Sequence, residues 1–232
     1  MLFGEVRQGI THLFYPRLCE GCNKPLVGAE DILCVACGME LPETGYHHIA
    51  DNDTASRFAG RVPFVHATSL AWFTNEGLLQ HLLHGLKYRN KKDIGLYLGC
   101  LLGNRIKAAG WGNNIDMVVP VPLHRKKQAK RGYNQSMLVA EGIADALGKP
   151  ASTSVLERVR NTETQTNKTR TERIANMADA FAFKPGISIA GKHLLLCDDM
   201  LTTGATMEAC AIALLRHDNI KISFATIGIA VP

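Results

Sequence analysis

One stretch, Leu194 to Thr206, restricts the chain more than any other; it reads LLLCDDMLTTGAT. Four apolar residues that end at two adjacent carboxylates predict a buried parallel strand delivering charge at its C-terminal edge. That edge is where open α/β sheets bind ligands. Beyond the acids, Thr202, Thr203, Gly204, Ala205 and Thr206 lead into a helical apolar pattern over Met207 to Arg216. Backbone N–H groups and threonine hydroxyls then gather at a helix N-terminus, where they cradle an anion, most often a phosphate.

The two halves together ask for one ligand with both a phosphate and vicinal hydroxyls. Asp198 and Asp199 would accept hydrogen bonds from a ribose while the loop holds its 5-phosphate; phosphoribosyl pyrophosphate is such a ligand. A strand whose acids merely cap the next helix explains either half but not their combination. The stretch resembles the phosphoribosyl pyrophosphate motif of type I phosphoribosyltransferases, in which apolar residues precede an acidic pair and a Thr-Thr-Gly-x-Thr loop. That resemblance implies a catalytic role for Asp198 and Asp199. With Met200, Leu201, Thr202, Thr203, Gly204, Ala205 and Thr206, the two acids would bind the ligand. The Gly-Lys-Ser/Thr of a P-loop and the G-x-G-x-x-G of a dinucleotide fold are both missing from the sequence.

The length of 232 residues suits one α/β domain with a small appendage, and 46% hydrophobic and 20% charged residues are ordinary for a globular chain. A net charge of +5 excludes little, but ten of the 26 Lys and Arg fall in two short segments. These are Arg125, Lys126, Lys127, Lys130 and Arg131, then Arg158, Arg160, Lys168, Arg170 and Arg173, and both read as anion-facing. Met1 to Pro16 carries Leu2, Phe3, Val6, Ile10, Leu13 and Phe14 near helical spacing, while Glu5 and Arg7 interrupt the apolar core of an export signal. No run approaches membrane-spanning length, so a cytoplasmic protein is expected.

Cys19, Cys22, Cys34 and Cys37 form C-x2-C, eleven residues, C-x2-C. In a chain read without an export signal, this spacing predicts four thiolates around one tetrahedral, structural Zn²⁺ rather than disulfides. Cys100, Cys197 and Cys210 have no such partners and read as small buried apolar residues. Leu41 to Arg61, with Pro42, Gly45, His47, His48, Asp51, Asn52 and Asp53, is polar and irregular, a linker or long loop. Val65 to Phe73 reads as a strand, and Leu78 to Leu86 and Ile94 to Ala109 as amphipathic helices. Lys87, Tyr88 and Arg89 at the helix end read as a surface rim or a ligand-facing corner, and their spacing favours the rim.

Met117 to Val121 is expected to be a second buried strand. It runs into Pro122, Leu123 and His124, a basic loop, and then Arg131 to Gln135 opening a helix to Leu147. A basic loop in a domain that already holds a phosphate suits a pyrophosphate. Glu157 to Asn176, devoid of apolar residues between Arg160 and Arg173, reads as a lid. A final strand is expected near Lys221 to Ile229.

A wider resemblance spans nearly the whole chain. VPVPLHRKKQAKRGYNQS, the pattern of Arg160, Thr162, Gln165, Arg173, Asn176 and Phe181, the segment LKYRNKKDIGLYLG and the four cysteines together resemble the competence protein F (ComF/GntX-like) family. It implies an N-terminal zinc module over residues 1–45 and a phosphoribosyltransferase domain over 46–232. The domain would have a mostly parallel central sheet flanked by helices, under a flexible hood. It further implies phosphoribosyl pyrophosphate with Mg²⁺ as ligand, a pyrophosphate side built from His124, Arg125, Arg131, Arg160, Gln165 and Arg173, and a role in DNA uptake. Two functions follow: transfer of phosphoribosyl to an unknown acceptor, or non-catalytic sensing of the ligand by an accessory protein that binds single-stranded DNA or other competence machinery. Neither resemblance gives the oligomeric state.

Overall fold

A computed structural model describes residues 16–159, 180–217 and 219–231. The expected N-terminal helix and most of the lid, with Arg160, Gln165 and Arg173, lie outside the described residues. Four strands, β1 (Ala67–Phe73), β2 (Met117–Pro120), β5 (His193–Leu201) and β6 (Lys221–Ala230), pair in the order β1-β6-β5-β2, every neighbour parallel. Their near-continuous apolar runs are what a sheet covered on both faces requires. Two short strands, β3 (Leu156–Arg158) and β4 (Phe181–Phe183), form a separate antiparallel hairpin.

Each face of the sheet has its own apolar layer. On one, Leu195, Cys197, Ala225 and Ile227 meet helices α3 (Leu78–Tyr88), α4 (Lys92–Ala108) and α6 (Gln135–Leu147). On the other, Leu194, Leu196, Ile222 and Phe224 meet α7 (Ala205–Leu215), the hairpin and the segment around Phe58. Helices α4 and α6 touch backbone to backbone: a Cβ on Gly99 would lie 2.3 Å from the Val139 carbonyl oxygen, and one on Gly142 2.2 Å from that of Leu96. This seam fixes where the first turn of α6 meets the strand ends. No helix among the described residues is long and apolar enough to cross a membrane.

Three expectations need correction. The 41–61 stretch is not a loose linker. It contains a 3-10 turn (Tyr46–His48) and a helical turn α2 (Asp53–Ser56), and Asn52 is buried, donating to Ala67 O at 3.0 Å and accepting from Ala55 N at 2.9 Å. Residues 42–44 also run along the outer edge of β1, with Trp72 N donating to Pro42 O and Thr44 N to Leu70 O. Second, the basic segment is a helix, α5 (Arg125–Arg131), started by His124 accepting from Lys126 N and ended by Gly132 at φ 85°. Its Arg, Lys, Gln and Ala are strong helix formers, which outweighs the absence of an apolar face. Third, β5 does not stop at the acids: Met200 and Leu201 stay paired with Gly228 and Ile229, because β6 offers a longer partner.

Candidate ligand site at the acidic pair

Strand β5 carries Asp198 and Asp199 against the N-terminus of α6. Asn134 caps that helix, accepting from Ser136 N at 3.1 Å while its own amide donates to Val121 O at 3.0 Å. The first turn is thereby pinned to the end of β2. Ser136 Oγ donates to Asp198 Oδ1 at 2.6 Å, which also accepts from Asp199 N at 2.9 Å. Gln135 Nε2 donates to Asp199 Oδ1 at 3.3 Å, and the Lys87 ammonium forms an ion pair with Asp199 Oδ2. Burial and the neighbouring Asp199 push the Asp198 carboxyl up to about 7, against the pull of Ser136. Of the two readings of Lys87, the ligand-facing corner is the one its contact with Asp199 favours over the rim.

The turn after β5 shapes an anion-sized hollow. Gly204 sits at φ 78° as the residue before α7, a conformation that suits glycine. A Cβ there would also lie 3.1 Å from the Phe58 ring. A cavity of about 50 Å³ is lined by Asp198 and residues 200–207, so Met200, Leu201, Thr202, Thr203, Gly204, Ala205 and Thr206 share one concavity with the first acid. The opening N–H groups of α7 have no partner within the helix by geometry. Arg61 braces the turn from outside: its guanidinium donates to Thr203 O at 2.9 Å and Arg57 O at 2.8 Å and pairs with Glu208. No pattern in the sequence marked Arg61.

The basic residues divide. Arg131 donates to Gln135 Oε1 and stands 5.8 Å from the centre of the Tyr88 ring, so it joins the acids through one intermediary. Arg125 instead extends toward the hairpin, 3.8 Å from Glu157 and 90% exposed, and His124 serves as the α5 cap. Between α5, α6 and the hairpin lies a second, larger groove of about 480 Å³ that includes Arg125, Tyr133, Glu141, Glu157 and Lys184. Tyr133 is half-buried and donates its hydroxyl to Leu86 O, whereas Tyr88 is 70% exposed.

Residues 16–41 fold around the four cysteines. The sulfurs of Cys19, Cys22, Cys34 and Cys37 all lie within 4.8 Å of one another; a tetrahedral zinc with Zn–S bonds of ~2.3 Å needs sulfurs ~3.8 Å apart, so the set fits that ion. Cys19 Sγ accepts from Gly21 N at 3.4 Å and Cys34 N at 3.3 Å, the N–H arrangement that steadies a thiolate. Helix α1 (Val35–Met39) carries Cys37, and Glu30 ties the loop by accepting from Val27 N and Val35 N at 2.8 Å each. Of the remaining cysteines, Cys197 and Cys210 are buried as expected, while Cys100 is only half-buried, its sulfur 3.6 Å from the Asn104 amide.

Comparison with known proteins fits this arrangement. Residues 133–231 match the phosphoribosyl transferase domain family. The DNA utilization protein YhgH of Salmonella typhimurium is 28% identical over 216 residues, covering 88% of this chain and 93% of its own. Competence protein F of Haemophilus influenzae is 25% identical, with 87% and 85% covered, and competence protein ComFC of Bacillus subtilis is 24% identical, with 86% and 78% covered. Adenine phosphoribosyltransferase from Leishmania tarentolae overlays with a TM-score of 0.40 and 11% identity, over 82% of this chain and 94% of that one, a likeness too slight to argue from. The chain thus carries a phosphoribosyltransferase-type domain match over residues 133–231, within a parallel central sheet between helices and behind a four-cysteine cluster. Its homologues are the competence protein F and ComFC proteins and the DNA utilization proteins.

Proposed function

We propose that the chain binds phosphoribosyl pyrophosphate with Mg²⁺ and transfers the phosphoribosyl group to a nucleophilic acceptor. One observation carries this reading: Asp198, held by Ser136 and standing beside the Asp199 that Gln135 and Lys87 hold, shares a concavity with the turn into α7. Asp198 and Asp199 accept from the ribose hydroxyls, and residues 202–206 take the 5-phosphate on backbone N–H groups and threonine hydroxyls. The C1–oxygen bond to pyrophosphate breaks, the electron pair leaves with the pyrophosphate, and the acceptor forms its bond to C1 with a nitrogen lone pair and gives up its proton to the departing pyrophosphate or to water. The carboxylates face the oxocarbenium-like charge of that transition state. Asp198 and Asp199 are also suitable oxygen ligands for Mg²⁺, which supplies charge neutralisation of the leaving group. Arg131 serves the pyrophosphate side, and the family resemblance adds His124, Arg125, Arg160, Gln165 and Arg173 to it.

The cysteine cluster holds a structural zinc in this reading, since four sulfurs leave no coordination position for chemistry. Product formation from phosphoribosyl pyrophosphate and Mg²⁺ across a panel of nucleobases and amines tests the transfer. Pyrophosphate release dependent on one acceptor supports it, and binding without release by any acceptor reduces the function to sensing.

A second reading has its own observation. Helix α5 displays Arg125, Lys126 and Lys127 to solvent, and exposed Tyr88 lies beside Arg131. Positive charge beside an exposed ring is what single-stranded nucleic acid uses for backbone attraction and base stacking. The relatives' names place DNA utilization and competence among their roles. In this reading the chain senses phosphoribosyl pyrophosphate while this face binds single-stranded DNA. Affinity for oligothymidylate that falls steeply with salt and drops on Tyr88→Ala would favour it.

A further inference from the structure

Lys87 lies in the last turn of α3, outside the residues matched by the phosphoribosyl transferase domain family. Its ammonium is nevertheless drawn onto the acidic pair: Lys87 is 23% exposed at its side chain and Asp199 6%, so the ion pair is largely shut off from water. A contact of this kind needs a held partner, because a flexible lysine left to itself returns to solvent. Here the helix end is fixed by Tyr133, whose hydroxyl takes the Leu86 carbonyl, and by the Arg131 guanidinium over the Tyr88 ring. Leu86 and Tyr88, the residues either side of Lys87, are therefore both tied to the α5–α6 turn. That turn also supplies Gln135 to the other oxygen of Asp199. Arg131, Gln135, Asp199 and Lys87 form one continuous chain of polar contacts.

We propose that Lys87 is the resident cation of this site: its ammonium occupies Asp199 in the unliganded chain, gives way when a magnesium-bound polyphosphate arrives, and then faces that ligand's leaving oxygens. The inference rests on the reading of the pair as a phosphoribosyl pyrophosphate site. The formal charges support it. Even with both carboxylates ionised, the ammonium leaves the pair with at most one net negative charge, too little to hold a bare divalent ion that must shed its waters. A metal arriving with its own anion turns that balance to one net positive charge, counting protein and metal, which attracts the pyrophosphate. The change needs a point charge on a flexible stem, and lysine supplies one where a planar arginine would resist the swing. Lys87 is thus a positioning residue that excludes free metal and rewards metal delivered with substrate.

The test uses the full-length protein and two probes. Mn²⁺ alone, followed by its electron paramagnetic resonance, should bind weakly to wild type and about tenfold more tightly to Lys87→Gln, because buried charge pairs couple strongly. Phosphoribosyl pyrophosphate at saturating Mg²⁺, followed by calorimetry, should bind Lys87→Gln about tenfold more weakly, one charge-assisted contact being lost. Lys87→Arg should exclude Mn²⁺ as wild type does. A change of fold in the variant is bypassed by a wild-type measurement: the Lys87 side-chain ¹⁵N resonance should shift when the magnesium ligand is added. A folded Lys87→Gln with wild-type Mn²⁺ affinity, or a Lys87 resonance unmoved by bound ligand, overturns the proposal. Failure of wild type to bind phosphoribosyl pyrophosphate at all overturns the underlying site reading instead, and the Mn²⁺ arm still reports whether Lys87 holds Asp199.

Discussion

The cysteine knuckle and the acidic edge both crowd ionisable groups into a small volume, yet they are built by opposite means. The knuckle gathers four sulfurs from Cys19 to Cys37 and adds only Ile32, Leu33 and Leu41 of its own to the core layer shared with α3 and α4. Val27, Val35 and Met39 stay exposed there. A segment with so few apolar residues of its own would take much of its order from a metal held by the four sulfurs. The acidic edge gathers Lys87, Gln135, Ser136, Asp198 and Asp199 from three elements around a buried sheet. Its order comes from helix seams and strand pairing, and a ligand would meet a site that is already shaped. One cluster should therefore fall apart without its ligand while the other persists.

The largest expected effect is on the knuckle. Purified protein should carry near-stoichiometric zinc, and Cys19→Ser with Cys22→Ser should lose it along with hydrogen-exchange protection over residues 16–41, since metal binding supplies on the order of 10 kcal/mol of folding energy in such modules. Protection across β5 and β6 should survive. A folded, protected knuckle free of zinc would erase the contrast.

Next comes the seam beneath the acids. Gly142→Ala forces a methyl group against the Leu96 carbonyl oxygen, 2.2 Å from the ideal Cβ, and should cost about 3 kcal/mol in urea unfolding. Zinc content should stay the same, because no residue of the seam is a cysteine ligand. Lost zinc in a still-folded Gly142→Ala protein would show the two regions to be one cooperative unit.

A smaller effect is expected at the turn. Arg61→Ala removes the donor to Thr203 O and the pair with Glu208. Being partly exposed, it should change stability by less than about 1 kcal/mol. Affinity for phosphoribosyl pyrophosphate should nevertheless fall several-fold, since the turn loses its brace. Calorimetry that finds stability lost and affinity intact would make Arg61 a simple structural residue.

The smallest effect is a pH slope. Asp198 titrates at about 7 in the folded chain, above its ordinary range, through burial and Asp199. A carboxyl raised on folding stabilises below its unfolded value of ~4, and that contribution is lost as pH rises through the folded value. Metal-free protein should therefore be less stable at pH 8 than at pH 5, and Asp198→Asn should flatten the slope. A slope of the opposite sign would mean that Lys87 and Ser136 overcome the burial of the pair.

The same contrast explains what could be read from the sequence. The cysteine spacing is local, so four residues and their intervals define the knuckle. The acids and the Thr202–Thr206 turn are contiguous, and strand, ligand edge and helix start followed from them. Spacing favours the rim over a ligand-facing corner for Lys87, because nothing near residue 87 reveals an acid more than a hundred positions later. Arg61 is equally silent, its partner Glu208 being 147 residues away. Gln135 opened a helix in the sequence reading, but its bond to Asp199 spans 64 residues and exists only because the glycine seam brings α6 to the strand end. The reading of α5 as a loop failed for a different reason: a solvent-facing charged helix shows no apolar period, and only its propensity marks it.

The central claim is that Asp198 and Asp199 form the heart of a phosphoribosyl pyrophosphate site. Calorimetric titration of that ligand with Mg²⁺ into wild type and into Asp198→Asn, Asp199→Asn addresses it most directly, with circular dichroism confirming that the variant is folded. The amides keep the carboxylate shape but lose the charge that Mg²⁺ and hydroxyl donors require, and they leave the Lys87 ammonium without its counter-charge. Wild type should bind, and the folded variant should lose at least about a hundredfold in affinity, as expected when two charge-assisted contacts are removed. Any affinity for single-stranded DNA should be kept or rise, because the variant is more positive. A folded double variant that binds phosphoribosyl pyrophosphate as tightly as wild type would contradict the account.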